Sequence, residues 1–257
     1  TKPKNTVKYT LISRRSPNRA GTRYTTRGCG NDQDSNNRYE DVANYVESEV
    51  ILQFDGGGDD GNTMVYSYKQ SRGSIPLLWS SPSTLLRYTP KVSITMNPSS
   101  QSTALLSHCN KHVLDYGGAV VMVSLIDKHG DQGRLGKCFR DVVDVLTDVS
   151  EGFKDNVKLV EFDFHAECKN DYAKINNLVT TLRPYIKKQK YTILNNGVIT
   201  QKQRGVIRTN CMDCLDRTNV VQTCLARDFV QNVIDLEEKR QGVKFIFEKH
   251  KNDDAQA

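Results

Sequence analysis

Long apolar runs are absent from the sequence, and no stretch approaches the roughly 18–20 residues that a membrane-spanning helix needs. A basic segment followed by an apolar one, the pattern of a secretory signal, is also lacking at the start. Neither an internal repeat nor a low-complexity tract is present. Because the first residue is Thr1 rather than methionine, we expect a fragment of a longer protein, and these absences describe the fragment alone.

The cysteines do not follow the pattern of a disulfide framework. There are seven of them, an odd number at irregular spacing, in a chain of 257 residues that can bury a core without covalent cross-links. We therefore expect reduced thiols in a cytosolic setting.

Charge and composition narrow the class of protein only coarsely. Hydrophobic residues at 37% and charged residues at 26% exclude collagen, coiled coil and wholesale disorder. The 36 Lys and Arg residues outnumber the 30 Asp and Glu residues, which gives a formal net charge of +6. This modest excess favours an anionic partner such as a phosphate, an acidic lipid or a nucleic acid, without choosing among them.

Hydrophobic periodicity predicts an α/β fold in which a mixed sheet is flanked by helices. Strand patterns and helical stripes alternate through the second half of the chain, which is typical of this class. The first third contains strand patterns only, two of them joined by a glycine-rich turn. The predicted strands lie at 9–13, 46–54, 63–68, 119–126 and 157–164, and residues 191–208 are predicted to form a hairpin that turns at 195–197. The predicted helices lie at 103–114, 133–146, 175–186 and from about 219.

One segment, residues 206–219, carries a pattern with chemical meaning. Between an apolar strand and a helix lie Cys211, five residues, Arg217 and Thr218, so that the pattern is Cys-x5-Arg-Thr. A thiol at a helix N-terminus loses its proton more easily because backbone N–H groups and the helix dipole favour negative charge. The planar guanidinium of Arg217 can hold two phosphate oxygens. The loop backbone can surround the others through N–H groups of Met212, Cys214 and Leu215.

These parts predict hydrolysis of a phosphate ester through a cysteinyl-phosphate intermediate. Thr218 is placed to hydrogen-bond the sulfur when it leaves. A general acid must protonate the departing alcohol oxygen. Asp213 and Asp216 are the candidates inside the loop, Asp213 being preferred, and Asp163 and His165 end the preceding predicted strand as alternatives.

Three basic residues lead into the loop and are candidates for contact with a substrate phosphate. They are Lys202, Arg204 and Arg208. The hydrolysis requires no metal and no cofactor.

Two other interpretations of the same residues stay open. Cys211 and Cys214 form a CxxC pair, which a redox protein or a zinc site would use, with Cys168 and His165 as further ligands. A catalytically inactive module could instead bind a phosphate-bearing ligand without hydrolysing it. His108 and His112, four residues apart, also have metal-binding spacing, although an ordinary helix face explains them more simply.

The run at 208–219, RTNCMDCLDRTN, resembles the signature of the Sac-domain phosphoinositide phosphatases. Segments at 43–49, 72–80 and 162–169 are similar to the same family, and together the matches cover most of residues 9–230. The resemblance implies a metal-independent lipid phosphatase with Cys211 as nucleophile and Arg217 as phosphate clamp. The form Cys-Met-Asp-Cys, followed by Val-Val-Gln, is closest to the membrane-anchored branch that acts mainly on phosphatidylinositol 4-phosphate. The 3-phosphate and the 3,5-bisphosphate are alternative substrates.

The resemblance also implies a domain organisation and a location. Residues 1–240 correspond to the Sac catalytic domain without the N-terminal β-rich subdomain of the family, and residues 241–257 form a charged C-terminal end. The implied partner is a phosphoinositide in a membrane surface, on the cytosolic face of endomembranes such as the endoplasmic reticulum or Golgi. No nucleic-acid partner is implied, and protein partners are unknown.

Overall fold

The computed structural model describes residues 7–15, 46–55, 62–81, 91–95, 97–169, 171–212 and 214–245. The strands are β1 (Val7–Arg15), β2 (Val46–Asp55), β3 (Thr63–Ser74), β4 (Trp79–Ser80), β5 (Ser93–Ile94), β6 (Val120–Ser124), β7 (Val157–Glu161), β8 (Thr192–Asn195), β9 (Val198–Gln201) and β10 (Val206–Cys211). The helices are α1 (Pro98–Tyr116), α2 (Gly130–Val149), α3 (Glu151–Asn156), α4 (Phe164–Cys168), α5 (Ile175–Gln189) and α6 (Asp216–Gln241).

The predicted α/β architecture with a mixed sheet is confirmed. In the described part of the chain, the main sheet has eight strands in the order β1-β2-β3-β10-β6-β7, and the hairpin of β8 and β9 pairs with β3. β3, β10, β6 and β7 run parallel, whereas β1, β2 and β3 are antiparallel to their neighbours in sequence. The antiparallel pairing of β2 with β3 agrees with the predicted hairpin, although its turn at 56–61 lies outside the described residues.

Helices cover the two faces of this sheet. α1 packs against α2, and α5 packs against α6. Met122 on β6 faces α1, because its sulfur lies 3.9 Å from the Cys109 thiol. Tyr68 on β3 faces α6, where its ring stacks on Phe229. Since side chains alternate between the faces of a strand, these contacts fix which residues of each strand point to which helix layer.

The start of β10 depends on a close approach between two backbones. Gly205 has φ +107°, and a Cβ built there would lie 2.2 Å from the carbonyl oxygen of Ala119. Gly197, in the turn between β8 and β9, has φ +79° with nothing within 4 Å of the same position. The two glycines therefore share a left-handed backbone but differ in the space around them.

We expect Gly205→Ala to destabilise the fold far more than Gly197→Ala. The control should lose about 1 kcal/mol, since only the left-handed conformation is penalised. Gly205→Ala should lose about 3 kcal/mol or more, because a steric clash with backbone is added. Chemical denaturation of both variants measures the difference, and equal losses would show that Ala119 moves aside.

Among the described residues no helix is both long enough and apolar enough to cross a membrane.

Candidate active site

Parallel strands bring their carboxyl ends to one edge of the sheet. β10 ends at Cys211, flanked by β3 ending at Ser74 and β6 ending at Ser124. β6 has β7 on one side and β10 on the other. The chain therefore runs from β6 outward to β7 and later returns to the opposite side of β6 as β10. Ligands of open α/β sheets bind outside the carboxyl ends of the strands at such a switch point.

The Cys211 side chain lies at this edge and is enclosed. The residue has no exposed surface, and Met212 and Cys214 are also buried. The Sγ atom accepts a hydrogen bond from the backbone N–H of Cys214 at 2.9 Å. Cys214 adopts φ +60°, a left-handed conformation that is uncommon outside glycine. The chain thus turns sharply back toward the sulfur, so that a backbone N–H reaches it.

Helix α6 starts directly after this turn. Its N-cap residue is Leu215, whose side chain cannot accept a hydrogen bond from the first backbone N–H groups. The hydroxyl of Thr218 donates to the carbonyl of Leu215 at 3.0 Å. This hydrogen bond of Thr218 stabilises the first turn of the helix. Asp216 is the first helical residue.

The guanidinium of Arg217 reaches across to the loop after β6. Its Nη1 donates to the carbonyl of Leu125 at 3.1 Å and to Oε1 of Gln132 at 2.8 Å. The carboxylate of Asp127 lies 3.7 Å from Nη1, and it accepts a hydrogen bond from Nε2 of Gln132 at 2.7 Å. The Leu125 carbonyl and the Gln132 Oε1 atom thus accept the two protons of Nη1. These contacts do not use the Nε–Nη2 edge of the guanidinium, whose geometry suits two oxygens of one anion.

His165 adds a second contact to Asp127. Its Nδ1 lies 2.7 Å from Oδ1 of Asp127, and the imidazole is largely exposed. His165 lies in α4, directly after β7, and so reaches the same edge of the sheet, as its sequence position predicted. Asp127 and Gln132 were not predicted. The available signal was the position of Asp127 directly after the apolar run at 119–126.

Asp163 has a structural role at this edge. Its carboxylate accepts the backbone N–H groups of Ala166 and Lys128, at 3.0 and 2.9 Å. Burial alone would raise the pKa of Asp163, but these hydrogen bonds and the nearby imidazoles of His129 and His165 lower it. Because both hydrogen bonds stabilise the ionised form and occupy the carboxylate oxygens, Asp163 is disfavoured as general acid.

Three of the predicted substrate-binding residues lie away from the turn. Lys202 and Arg204 precede β10, at the opposite end of that strand from Cys211. Arg208 is fully buried on the face toward α1, where its Nη2 donates to the carbonyl of Ser74 at 3.1 Å. Asp213, the preferred general acid, lies outside the described residues.

The residues weighed as metal ligands do not cluster. In the described part of the chain, no three His, Cys, Asp or Glu side chains are placed to hold one ion. His108 and His112 lie on the buried face of α1. Burial together with the charge of Arg208 lowers the pKa of His112 to about 3. Their Nδ1-to-carbonyl contact of 3.0 Å, from His112 to His108, is within the helix.

The family model described as SacI homology domain matches residues 1–169, about two thirds of the chain. The chain belongs to the SacI homology domain family. Its resemblance to Sac-domain phosphatases is thereby confirmed, although the matched residues end before β10.

Relatives that match almost the whole chain come from several eukaryotes. An uncharacterised protein of Schizosaccharomyces pombe is 35% identical over 88% of the chain and 35% of its own length. A phosphatidylinositol-3-phosphatase of Danio rerio is 35% identical over 94% of the chain and 37% of its own length. A phosphoinositide phosphatase of Arabidopsis thaliana is 35% identical over 92% and 36%. The chain thus spans about a third of the length of these relatives.

Proposed function

We propose that this chain carries the active site of a phosphoinositide phosphatase, within residues 1–240. The observation that carries the proposal is the arrangement at the end of β10, where a backbone N–H turns onto the Cys211 sulfur and Arg217 is anchored on the neighbouring loop. Relatives named as phosphoinositide phosphatases support the substrate class.

The proposed reaction has two steps. The thiolate of Cys211 attacks phosphorus, so that an S–P bond forms while the bond from phosphorus to the inositol oxygen breaks. An aspartic acid of the loop, Asp213 in the first place and Asp216 in the second, protonates that oxygen. Water then attacks phosphorus with its proton passing to the same carboxylate, the S–P bond breaks, and inorganic phosphate leaves.

We assign the charge on the transferred phosphoryl group to donors around the turn. Arg217 contacts two of the oxygens through its Nε–Nη2 edge, while Leu125 and Gln132 keep Nη1 in place. N–H groups of Met212, Cys214 and Leu215 surround the others. Because Cys211 has no exposed surface, the turn must open to admit the phosphate.

Phosphatidylinositol 4-phosphate is the proposed first substrate, with the 3-phosphate and the 3,5-bisphosphate as alternatives. We place the reaction at the cytosolic face of an endomembrane, where this lipid class is presented. The reaction as written needs no cofactor.

Phosphate release from short-chain, water-soluble phosphatidylinositol phosphates tests the function. We expect release in the presence of a metal chelator, fastest with the 4-phosphate. Binding of the same lipid without release would favour an inactive binding module. Stoichiometric zinc by elemental analysis, or a dithiol redox cycle that survives Arg217→Ala, would favour the CxxC alternative.

A further inference from the structure

Arg72, near the end of β3, is a buried arginine whose guanidinium has no partner in the part of the chain that the structure describes. Only 8% of the residue is exposed. Its Nε is enclosed and donates to no partner among the described residues, and no ion pair or hydrogen bond joins the side chain to any of them. Arginine is almost never buried unless it is paired, because a desolvated charge without a counter-charge is strongly unfavourable.

The side chains of β3 that face α6 show where Arg72 points. Successive members of this row contact α6 progressively closer to its start. Tyr66 donates to Glu237, Tyr68 stacks on Phe229, and Gln70 donates to the carbonyl of Gln222 at 3.2 Å. Each step of two residues along β3 therefore moves seven or eight residues back along α6.

Arg72 is the next member of this row. The same step leads from Gln222 to about residue 215, which is the N-cap of α6. Arg72 is also paired in register with Thr209, two residues before Cys211. Two independent relations, along the helix and across the sheet, thus place Arg72 beside the turn that holds the Cys211 sulfur.

A cation at this place is unfavourable in the free protein. The start of a helix carries partial positive charge, which the side chain of the N-cap Leu215 does not offset and which Asp216 in the first turn offsets with a single carboxylate. An unpaired guanidinium adds a full positive charge to the same region. A bound oxyanion removes both penalties, since its oxygens accept from the guanidinium and from the helix N–H groups together.

We propose that Arg72 is a phosphate-binding residue, a second arginine that contacts phosphoryl oxygens of the ligand at the start of α6. The oxyanion follows from the structure, whereas its identity as an inositol phosphate headgroup rests on the proposed function. Arg72 and Arg217 would then approach one anion from β3 and from α6.

The test measures ligand binding in full-length protein carrying Cys211→Ser, so that no turnover occurs. Inorganic phosphate and short-chain phosphatidylinositol 4-phosphate are titrated by calorimetry into Arg72→Met, Arg72→Lys and the control Arg183→Met. Arg183 pairs with Asp228 on the surface between α5 and α6. We expect Arg72→Met to bind about 10- to 100-fold more weakly, Arg72→Lys several-fold more weakly because it lacks the fork, and the control unchanged.

The melting temperature of the ligand-free variants separates binding from a structural role. Removing an unpaired buried charge should leave the melting temperature of Arg72→Met unchanged or raised. A lowered melting temperature together with unchanged affinity would overturn the proposal. Should Arg72→Met not fold, Arg72→Lys decides: wild-type affinity for both ligands overturns the proposal as well.

The two ligands distinguish the source of the oxyanion. Weaker binding of both supports contact with a phosphoryl group from either source, and a loss confined to the lipid supports a headgroup contact. Phosphate release is measured separately in protein with Cys211 intact. Failure of release refutes the proposed function and leaves the binding result for Arg72 standing. Normal release with undiminished affinity in Arg72→Met refutes the Arg72 proposal alone.

Discussion

Cys211→Ser is expected to abolish phosphate release, with a loss of at least about 10⁴-fold in kcat, while binding of the short-chain lipid is retained. A serine hydroxyl at this position can still accept the N–H of Cys214, which contacts the sulfur at 2.9 Å. It cannot supply a thiolate, because an aliphatic hydroxyl ionises far less readily than a thiol. Phosphate release and lipid binding, measured on the same preparation, check the two expectations.

Cys224, a thiol that lies on α6, provides the matched control. Cys224 is half-buried, and burial raises the pKa of its thiol, so it stays protonated near neutral pH. Cys224→Ser should keep the rate of phosphate release within about 2-fold of the wild type, because it replaces a single sulfur atom at a half-buried position. Turnover that persists in Cys211→Ser, or disappears in Cys224→Ser, contradicts the assigned nucleophile.

Local patterns were sufficient to predict the strand that ends at Cys211 and the helix that follows. The apolar run of β10 and the fourfold spacing of apolar residues on α6 are properties of adjacent residues, and both elements form where they were predicted. The parallel pairing of β10 between β3 and β6 is different. It joins segments more than 80 residues apart, and no periodicity in the sequence encodes strand order.

The contacts around Arg217 that were not predicted have the same physical origin. Asp127 and Gln132 stand beside Arg217 only because β6 lies next to β10. Lys202 and Arg204 are close to Cys211 in sequence, yet the six residues of β10 separate them from it by about 20 Å. Proximity along an extended strand is therefore a poor guide to proximity in a site, whereas the carboxyl ends of neighbouring strands are a good one.

Alternation along β10 explains the placement of Arg208. Its neighbour Thr209 is paired with Arg72 on the α6 face, so Arg208 must point to the α1 face. Arg208 was predicted to contact the substrate because it lies three positions before Cys211. Residues an odd number of positions apart on a strand point to opposite faces of the sheet, so Arg208 and Cys211 do not share a face. Arg72, which lies more than 130 residues upstream of Cys211, occupies the suitable face instead.

Arg217 has two tasks, and a substitution that keeps its charge separates them. Nη1 is held by Leu125 and Gln132, at 3.1 and 2.8 Å, while the Nε–Nη2 edge is proposed to hold the phosphate. A lysine ammonium has three donors on one atom and no second edge. It can stay with the protein acceptors or contact the phosphate, but it cannot reproduce both geometries at once.

Arg217→Lys should therefore lower kcat/KM by about 10³-fold, which is the scale for losing a preorganised arginine in phosphoryl transfer. Gln132→Ala leaves the guanidinium present but removes one anchor, and should lower kcat/KM by about 10-fold. Arg183→Lys, on the surface pair with Asp228, should leave kcat/KM unchanged. Steady-state phosphate release by the three variants measures this order. Full activity of Arg217→Lys would show that a point charge suffices, and that the anchored fork is not what stabilises the transition state.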